Sequence, residues 1–163
     1  MSKYKVLQVC YDFENRPPYF DELSQTHSSR DKAEIDMYKY VLDELDCLNG
    51  IMEGDAFPER RFIATIEDKE YDVVVNAWDG PDYRPVTCYK VITVDELVEF
   101  FNAKLRDDFG EDITVKICSY EECDGSTQFY YTTTRNGDIY GFETATQAYS
   151  DAGIYLSYVG ELW

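Results

Sequence analysis

The sequence predicts an α+β fold in which mostly antiparallel strands form one or two sheets, with two main helices packed on one face. Three observations support this fold class. Apolar side chains recur at helical spacing in residues 28–50, a complete helix-start signal stands at Thr93, and the other apolar runs are short and flanked by turn residues. The 163 residues, 44% of them hydrophobic and 16% aromatic, suffice for one domain or two small lobes.

A first helix is predicted over residues 28–50. Ser28 with Asp31 is typical of an N-terminal cap, and Asn49-Gly50 is typical of a C-terminal stop. The predicted apolar stripe consists of Tyr38, Val41, Leu42, Leu45 and Leu48. The acids expected mainly away from that stripe are Asp36, Asp43, Glu44 and Asp46. We therefore expect the helix to cover a sheet and to present an acidic ridge to solvent.

Strands are predicted on both sides of this helix. In chain order, the segments are a strand at 3–11, a loop with two prolines at 15–23, and strands at 60–66, 71–77 and 86–92. The polar residues 67–70 are typical of a hairpin loop, and the cluster at 78–82 is typical of a turn. Residues 1–92 would then form an N-terminal lobe of the order β-loop-α-β-β-β.

A second helix is predicted to begin at Thr93. Thr93 and Glu96 form a capping box, Ile92 and Leu97 occupy hydrophobic-staple positions, and Gly110 ends the helix. The later segments are a strand at 113–118, an acidic loop at 121–126, strands at 127–135 and 138–142 joined by Asn136-Gly137, a short helix at 144–151 ended by Gly153, and a last strand at 154–159. Residues 93–163 would form an α-β-β-β-(α)-β lobe. No linker separates it from residues 1–92, so a single continuous domain remains open.

Charge is the most unusual property of the composition. The chain has 33 acids and 15 bases, a formal net charge of −18. Phosphate and anionic lipid require clustered Lys and Arg, so neither nucleic acid nor a membrane surface is an expected direct partner. Residues 93–163 hold 14 acids and 4 bases, a net charge of −10, and are also rich in tyrosine. The expected partner is therefore cationic.

Cysteine use predicts a reducing compartment. The five cysteines are odd in number and have no paired spacing: Cys10, Cys47, Cys88, Cys118 and Cys123. The N-terminus has no apolar leader, and no apolar run is long enough to span a bilayer. These features predict a cytoplasmic protein with free thiols.

No motif for catalysis, a cofactor or a metal stands out. His27 is the one histidine, and no nucleophile signature accompanies it. Phosphate-binding glycine loops are absent. The oxygen-rich segments at 107–112 and 121–125 do not fit a calcium loop, and Cys118 with Cys123 lacks zinc spacing. We therefore predict no catalytic residue, no cofactor and no metal.

The sequence favours a non-enzymatic acidic interaction protein that occupies the basic nucleic-acid-binding surface of a partner enzyme. Duplex DNA carries one charge per about 1.7 Å, so 18 net charges match roughly 30 Å of duplex. Acidic inhibitors that phages and mobile elements direct against restriction enzymes and CRISPR effectors use such DNA mimicry, which is an analogy of surface type only. The predicted contact residues are Asp36, Asp43, Asp46, Asp107, Asp108, Glu111, Asp112, Glu121, Glu122, Asp124 and Tyr130.

Tyr130 is included because of strand alternation. Phe129 and Tyr131 face one side of a predicted strand and Tyr130 faces the other, so one of the two sets remains available on the uncovered face. Tyrosine suits interfaces because it offers a large contact area at low entropy cost.

Two other functions remain open from sequence. One is a small-molecule- or peptide-binding α+β module, or an enzyme whose site is assembled by the fold; a deep apolar pocket with a few polar groups would favour it. The other is a passive protein whose charge serves solubility alone.

Overall fold

The structure, a computed structural model, describes residues 2–11, 18–23, 25–53, 61–66, 70–79 and 82–158. Over those ranges the chain has the predicted mixed α+β fold, with helices packed against two antiparallel sheets. Within the described part of the chain, none of the helices combines the length and apolar character needed to cross a bilayer.

The described elements number eight strands and three helices. In chain order they are β1 (Tyr4–Cys10), β2 (Tyr19–Glu22), α1 (Arg30–Glu53), β3 (Arg61–Ile66), β4 (Val73–Asp79), β5 (Asp82–Thr93), α2 (Val94–Phe109), β6 (Lys116–Glu121), β7 (Thr127–Thr133), β8 (Gly137–Phe142) and α3 (Ala145–Tyr158).

The chain forms two compact units. The C-terminal unit comprises Met1–Lys5, Ser24–Thr26 and Ile92–Trp163, and the N-terminal unit comprises Val6–Leu23 and His27–Val91. The predicted assignment of residues 1–92 and 93–163 to separate domains stays a prediction.

The five-stranded sheet has the order β2-β1-β5-β4-β3. β2 pairs with β1 through Leu7↔Glu22 and Cys10↔Tyr19, although residues 15–23 were predicted as a loop. Backbone pairing with β1 stabilises this short edge strand, and its own sequence carries little strand signal. β5 begins at Asp82, earlier than predicted, and its Pro85 lies where the register with β4 shifts, a position that tolerates proline.

Helix α1 differs from the prediction in its ends. The Lys32 N–H donates to the Ser29 Oγ (3.3 Å), so the side chain that caps the helix is that of Ser29 and not Ser28. The helix continues to Glu53, beyond the predicted stop at Asn49-Gly50. Asn49 takes no part in ending the helix, because its side-chain amide bonds the backbone of Phe62 in β3.

The buried face of α1 is also rotated from the predicted stripe. Among the side chains of α1 that the structure describes, Ala33, Met37 and Val41 are buried, while Leu42 is 65% exposed. Glu44 was expected mainly on the solvent side, but its carboxylate accepts hydrogen bonds from Thr87 and Tyr89 of β5. These two hydroxyl donors orient an acidic residue toward the sheet, which apolar periodicity alone does not reveal.

Helix α2 confirms the predicted start and end. The Glu96 N–H donates to the Thr93 Oγ1 (3.1 Å), and the Gly110 N–H donates to the Arg106 carbonyl (2.8 Å). Gly110 has a φ of 105°, a value that favours glycine. The helix buries Leu97, Phe101 and Leu105.

The C-terminal unit has the order α2-β6-β7-β8-α3, with β7 in the centre of its three-stranded sheet. The predicted hairpin is present, but its turn is residues 134–136 and not the dipeptide Asn136-Gly137. Gly137 is the first residue of β8, pairs with Thr133 and has a φ of 68°. Both helices pack against this sheet. Phe129 and Tyr131 of β7 are buried, and Tyr130 faces the other way.

The predicted last strand at 154–159 is wrong over its described residues. Helix α3 continues through Gly153 to Tyr158, and residue 159 lies outside the described residues. The buried residues of α3 recur at helical spacing and are Ala145, Ala148, Ala152 and Leu156. Packing of this stripe on the sheet outweighs the local strand preference of residues 154–158.

An asparagine amide covers one edge of each sheet. The buried Asn102 of α2 donates to the Ile117 carbonyl (3.0 Å) and accepts from the Ile117 N–H (2.7 Å) on edge strand β6. Asn49 of α1 makes the same pair of bonds with Phe62 on edge strand β3 (3.2 and 3.0 Å). Each amide occupies backbone groups that another strand could otherwise bind.

We expect Asn102→Ala to lower the free energy of unfolding by about 2–4 kcal/mol, because two buried backbone groups of Ile117 lose their partners. Urea denaturation measures the change. Asp107→Asn on the exposed side of the same helix is the control and should stay within about 0.5 kcal/mol of wild type. Equal effects of the two substitutions would contradict a structural role for the amide.

Candidate functional site

The C-terminal unit carries its negative charge at the surface. Of the 13 acids in residues 93–158, 12 are exposed and only Asp151 is half-buried. Seven of the exposed acids lie on α2 and the turn after it, and we call them the α2 acidic ridge: Asp95, Glu96, Glu99, Asp107, Asp108, Glu111 and Asp112. The four predicted contact residues at 107–112 are thus brought together with three acids that sequence analysis had not selected.

Four acids of the ridge follow the solvent side of α2, whereas Asp108 lies toward α3, where it meets Tyr149. At 100° per residue, Asp95, Glu96, Glu99 and Asp107 fall within about a third of the helix circumference, opposite the buried side. Arg106 contributes a cation to this side, and its guanidinium bonds Glu99 (2.8 Å) and approaches Glu111 (3.7 Å). The sixteen residues of the helix span about 24 Å at about 1.5 Å per residue.

Asp108 is held differently from its neighbours. Its carboxylate accepts a hydrogen bond from the Tyr149 hydroxyl of α3 (3.0 Å), and the Tyr149 ring packs against Phe101. Burial and this hydrogen bond raise the pKa of Tyr149 to about 12. The Asp108 carboxylate therefore has a neutral hydrogen-bond donor as its partner.

The predicted acids Glu121, Glu122 and Asp124 form a second cluster in the β6–β7 connection. Lys3 forms an ion pair with Glu121 (2.7 Å) and donates to the Gly125 carbonyl. This lysine lowers the pKa of the Glu121 carboxyl. Hydrogen bonds from Ser126 lower the pKa of Asp124. These interactions favour the ionised form of both carboxylates. Lys3 was not among the predicted contact residues, because no local pattern connects it with residues 121–125.

A small polar cavity of about 250 Å³ lies beside this cluster. Its lining includes Lys3, Thr93, Asp95, Ser119 and Glu121. The lysine is already bonded to Glu121, and two carboxylates face the same space. Apart from Val94 and Tyr120 its lining is polar, whereas a typical small-ligand pocket is mostly apolar.

Three tyrosines, one from each strand of the C-terminal sheet, lie in mutual contact beside these acids. We call Tyr120, Tyr130 and Tyr140 the tyrosine ladder. Their ring centroids are 5.9 Å apart for Tyr120 and Tyr130, 5.8 Å for Tyr120 and Tyr140, and 4.7 Å for the stacked pair Tyr130 and Tyr140. Tyr140 is 56% exposed. Of the three, only Tyr130 was selected from sequence, because strand pairing and not chain position brings the rings together.

The acids predicted on α1 belong to the N-terminal unit. Asp43 and Asp46 are exposed. Asp36 is half-buried, and its carboxylate lies 3.1 Å from the Nε2 of the buried His27. His27 therefore has a structural partner at the start of α1, and Asp36 is a less accessible contact residue than Asp43 or Asp46.

A cleft beside α1 is another recess with convergent polar groups. It measures about 340 Å³, and its lining includes Gln8, Tyr40, Glu44 and Cys47. Glu44 accepts from the Thr87 Oγ1 (2.8 Å) and from the Tyr89 hydroxyl, which also accepts from Gln8 (3.2 Å). Burial and the bond to Glu44 raise the pKa of Tyr89. Since both oxygens of Glu44 already have donors, this network is best explained as structural support for α1.

Among the described residues, no group of three or more His, Cys, Asp or Glu side chains is arranged to bind a metal ion. The five cysteines are free thiols.

No protein-family model, curated protein or solved structure matches this chain.

We expect Glu44→Leu to lower the free energy of unfolding by about 1–3 kcal/mol, because the hydroxyls of Thr87 and Tyr89 lose their acceptor. Glu44→Gln, which keeps one acceptor oxygen, should cost less. The exposed neighbour Asp43 provides the control Asp43→Leu in the same urea titration. A loss from Glu44→Leu no greater than that of the control would show that the network does not stabilise the fold.

The hydrogen bond from Tyr149 to Asp108 should make the free energy of unfolding depend on pH in the alkaline range. The pKa of Tyr149 is raised from 10.0 to about 12, so its stabilising effect is complete below about pH 10 and is lost as pH rises toward 12. We expect wild type to lose stability faster than Tyr149→Phe between pH 10 and 12, measured by urea unfolding. Tyr158→Phe, at a residue 86% exposed, should follow wild type. Identical profiles for all three proteins would contradict the assignment.

Proposed function

We propose that this chain is an acidic inhibitor that fills the basic nucleic-acid-binding groove of a partner enzyme, with the α2 acidic ridge as its leading surface. The observation that carries the proposal is the placement of seven exposed carboxylates along one helix and the turn that follows it. A groove that binds phosphates through Lys and Arg would meet these carboxylates along the helix and the turn.

The number of charges per unit length decides which nucleic-acid surface the ridge can imitate. A single DNA strand carries one phosphate per about 3.4 Å, or about seven over the 24 Å of α2, whereas a duplex carries about fourteen. Over this length α2 carries five of the seven ridge acids, since Glu111 and Asp112 lie in the turn after it, and its bases are Lys104 and Arg106. It therefore resembles one phosphate row more closely than a whole duplex. The cluster of Glu121, Glu122 and Asp124 supplies further carboxylates in the same unit.

The way in which the ridge is held supports a binding role. Asp108 is fixed by Tyr149, Glu99 by Arg106, and the helix itself by the amide of Asn102. Side chains that are ordered before binding lose less entropy on association than freely moving ones. An acidic coat that served hydration alone would not require such partners.

The competing function is a small-ligand module at the cleft beside α1, where Gln8, Tyr40 and Cys47 offer polar and aromatic contacts. Both oxygens of the Glu44 carboxylate already accept a hydrogen bond, so a ligand would have to share them with Thr87 and Tyr89. The acidic inhibitor is therefore the function that the surface supports best.

The test is a DNA-cleavage assay with a panel of restriction endonucleases and RNA-guided nucleases. We expect inhibition of at least one enzyme, relieved by added DNA and weakened by salt. The ridge variant Asp107→Asn, Asp108→Asn, Glu111→Gln, Asp112→Asn should lose about tenfold to hundredfold in inhibitory potency, since each interfacial charge contributes about 0.2–1 kcal/mol.

A matched control changes the net charge by the same amount at scattered exposed or half-exposed positions outside the predicted contact residues: Asp31→Asn, Glu34→Gln, Glu70→Gln and Glu143→Gln. Its potency should stay within about threefold of wild type. Equal losses in both variants would mean that only total charge matters. Failure of wild type to inhibit any enzyme of the panel would contradict the proposal.

A further inference from the structure

The tyrosine ladder is a second surface in the C-terminal unit, different in chemistry from the ridge. Its rings stand on the sheet face opposite the buried Phe129 and Tyr131. Tyr130 and Tyr140 are stacked at 4.7 Å, and Tyr140 keeps more than half of its surface exposed. Aromatic rings in contact with solvent on a sheet face provide a flat, polarisable surface at little cost in side-chain entropy.

Carboxylates border the ladder at two points. The Tyr140 hydroxyl donates to Asp138 (3.2 Å), and the Tyr120 hydroxyl lies at hydrogen-bond distance from Glu122 (3.5 Å). Both carboxylates are exposed, and each has further lone pairs for an incoming donor. The ladder therefore combines aromatic faces with fixed negative charge at its rim.

The positive charge of Lys116 limits where a cationic group of a partner can bind on this sheet face. Lys116 belongs to the same cross-strand row as Asp138, with Thr132 between them, so about 10 Å separates the two backbones. A cationic group is therefore disfavoured near β6 at this row and favoured near β8. The accessible position lies against the stacked pair Tyr130 and Tyr140, beside Asp138.

We propose that this position binds an arginine side chain of a basic partner, stacked on Tyr140 and hydrogen-bonded to Asp138. A guanidinium is planar and weakly hydrated, so it stacks on aromatic faces and also binds a carboxylate through two donors. A nucleobase could stack on the same rings, but its phosphates would approach Asp138 and Glu122. Lysine offers a point charge without the planar stacking surface, so the ladder distinguishes arginine from lysine.

This inference rests on the proposed function for the existence of a basic partner, and it assigns the two surfaces different tasks. The ridge attracts any polycation through charge, with little distinction between Lys and Arg. The ladder supplies a short-range preference for arginine. The two contributions can be measured separately on the whole chain.

The test uses two defined probes, an arginine octapeptide and a lysine octapeptide, with affinities measured by isothermal titration calorimetry at several salt concentrations. We expect wild type to bind the arginine peptide at least threefold more tightly than the lysine peptide. Tyr140→Ala should remove most of this preference and leave lysine-peptide binding within about twofold. Tyr140→Phe, which keeps the ring, should retain it, and Tyr158→Ala on α3 is the control at an exposed tyrosine outside the ladder.

Each outcome decides one of the two proposals. Equal affinity of wild type for both peptides, or an unchanged preference in Tyr140→Ala and in the double variant Tyr130→Ala, Tyr140→Ala, would overturn the ladder assignment. Circular dichroism identifies a variant that has not folded. If Tyr140→Ala does not fold, the test compares Tyr140→Phe, which keeps the ring, with Asp138→Asn, which removes the carboxylate. Arginine preference in a protein that inhibits no nuclease would leave the ladder standing and the inhibitor function refuted.

Discussion

The pair of hydrogen bonds between Asn102 and Ile117 is the interaction on which the C-terminal unit depends. It joins α2 to β6, the edge strand of the three-stranded sheet. The backbone N–H and C=O of Ile117 thereby have hydrogen-bond partners and need neither water nor another strand. The ridge lies on that helix and the tyrosine ladder lies on that sheet. One buried amide therefore fixes the elements that carry both surfaces. Asn49 makes the corresponding pair with Phe62, so the same solution is used in each unit.

Tyrosine explains how a chain with so few cations holds its acids in place. Phenol hydroxyls donate to Glu44, Asp108, Asp138 and Asp151, with Tyr89, Tyr149, Tyr140 and Tyr131 as the respective donors. A neutral donor orients a carboxylate without cancelling its charge, whereas a lysine or arginine would do both. The 15 tyrosines equal the 15 Lys and Arg residues in number, and this use of them preserves a net charge of −18. The acidic side chains are thus held in defined positions while the protein keeps its negative charge.

The two proposed surfaces act over different distances. Exposed carboxylates on α2 attract a polycation from about a Debye length, roughly 8–10 Å, and this attraction weakens with salt. Aromatic stacking on the ladder acts only in contact and is far less sensitive to salt. A protein that combined both would approach basic surfaces in general and remain longest on those rich in arginine. Specificity would then come from the neutral rings, and speed of encounter from the acids.

The sequence by itself determined the features that rest on neighbouring residues. These include the α+β class, the capping box at Thr93, the presence of a hairpin between β7 and β8 and the acidic surface of residues 93–158, because caps, turns and charge are local properties. Tertiary structure alone decided strand β2, the length of α3 and the inward position of Glu44. It also assembled Tyr120, Tyr130 and Tyr140, which lie ten residues apart along the chain. Each of these depends on pairing or packing between distant segments, and that energy outweighs the weak local preference of the residues involved.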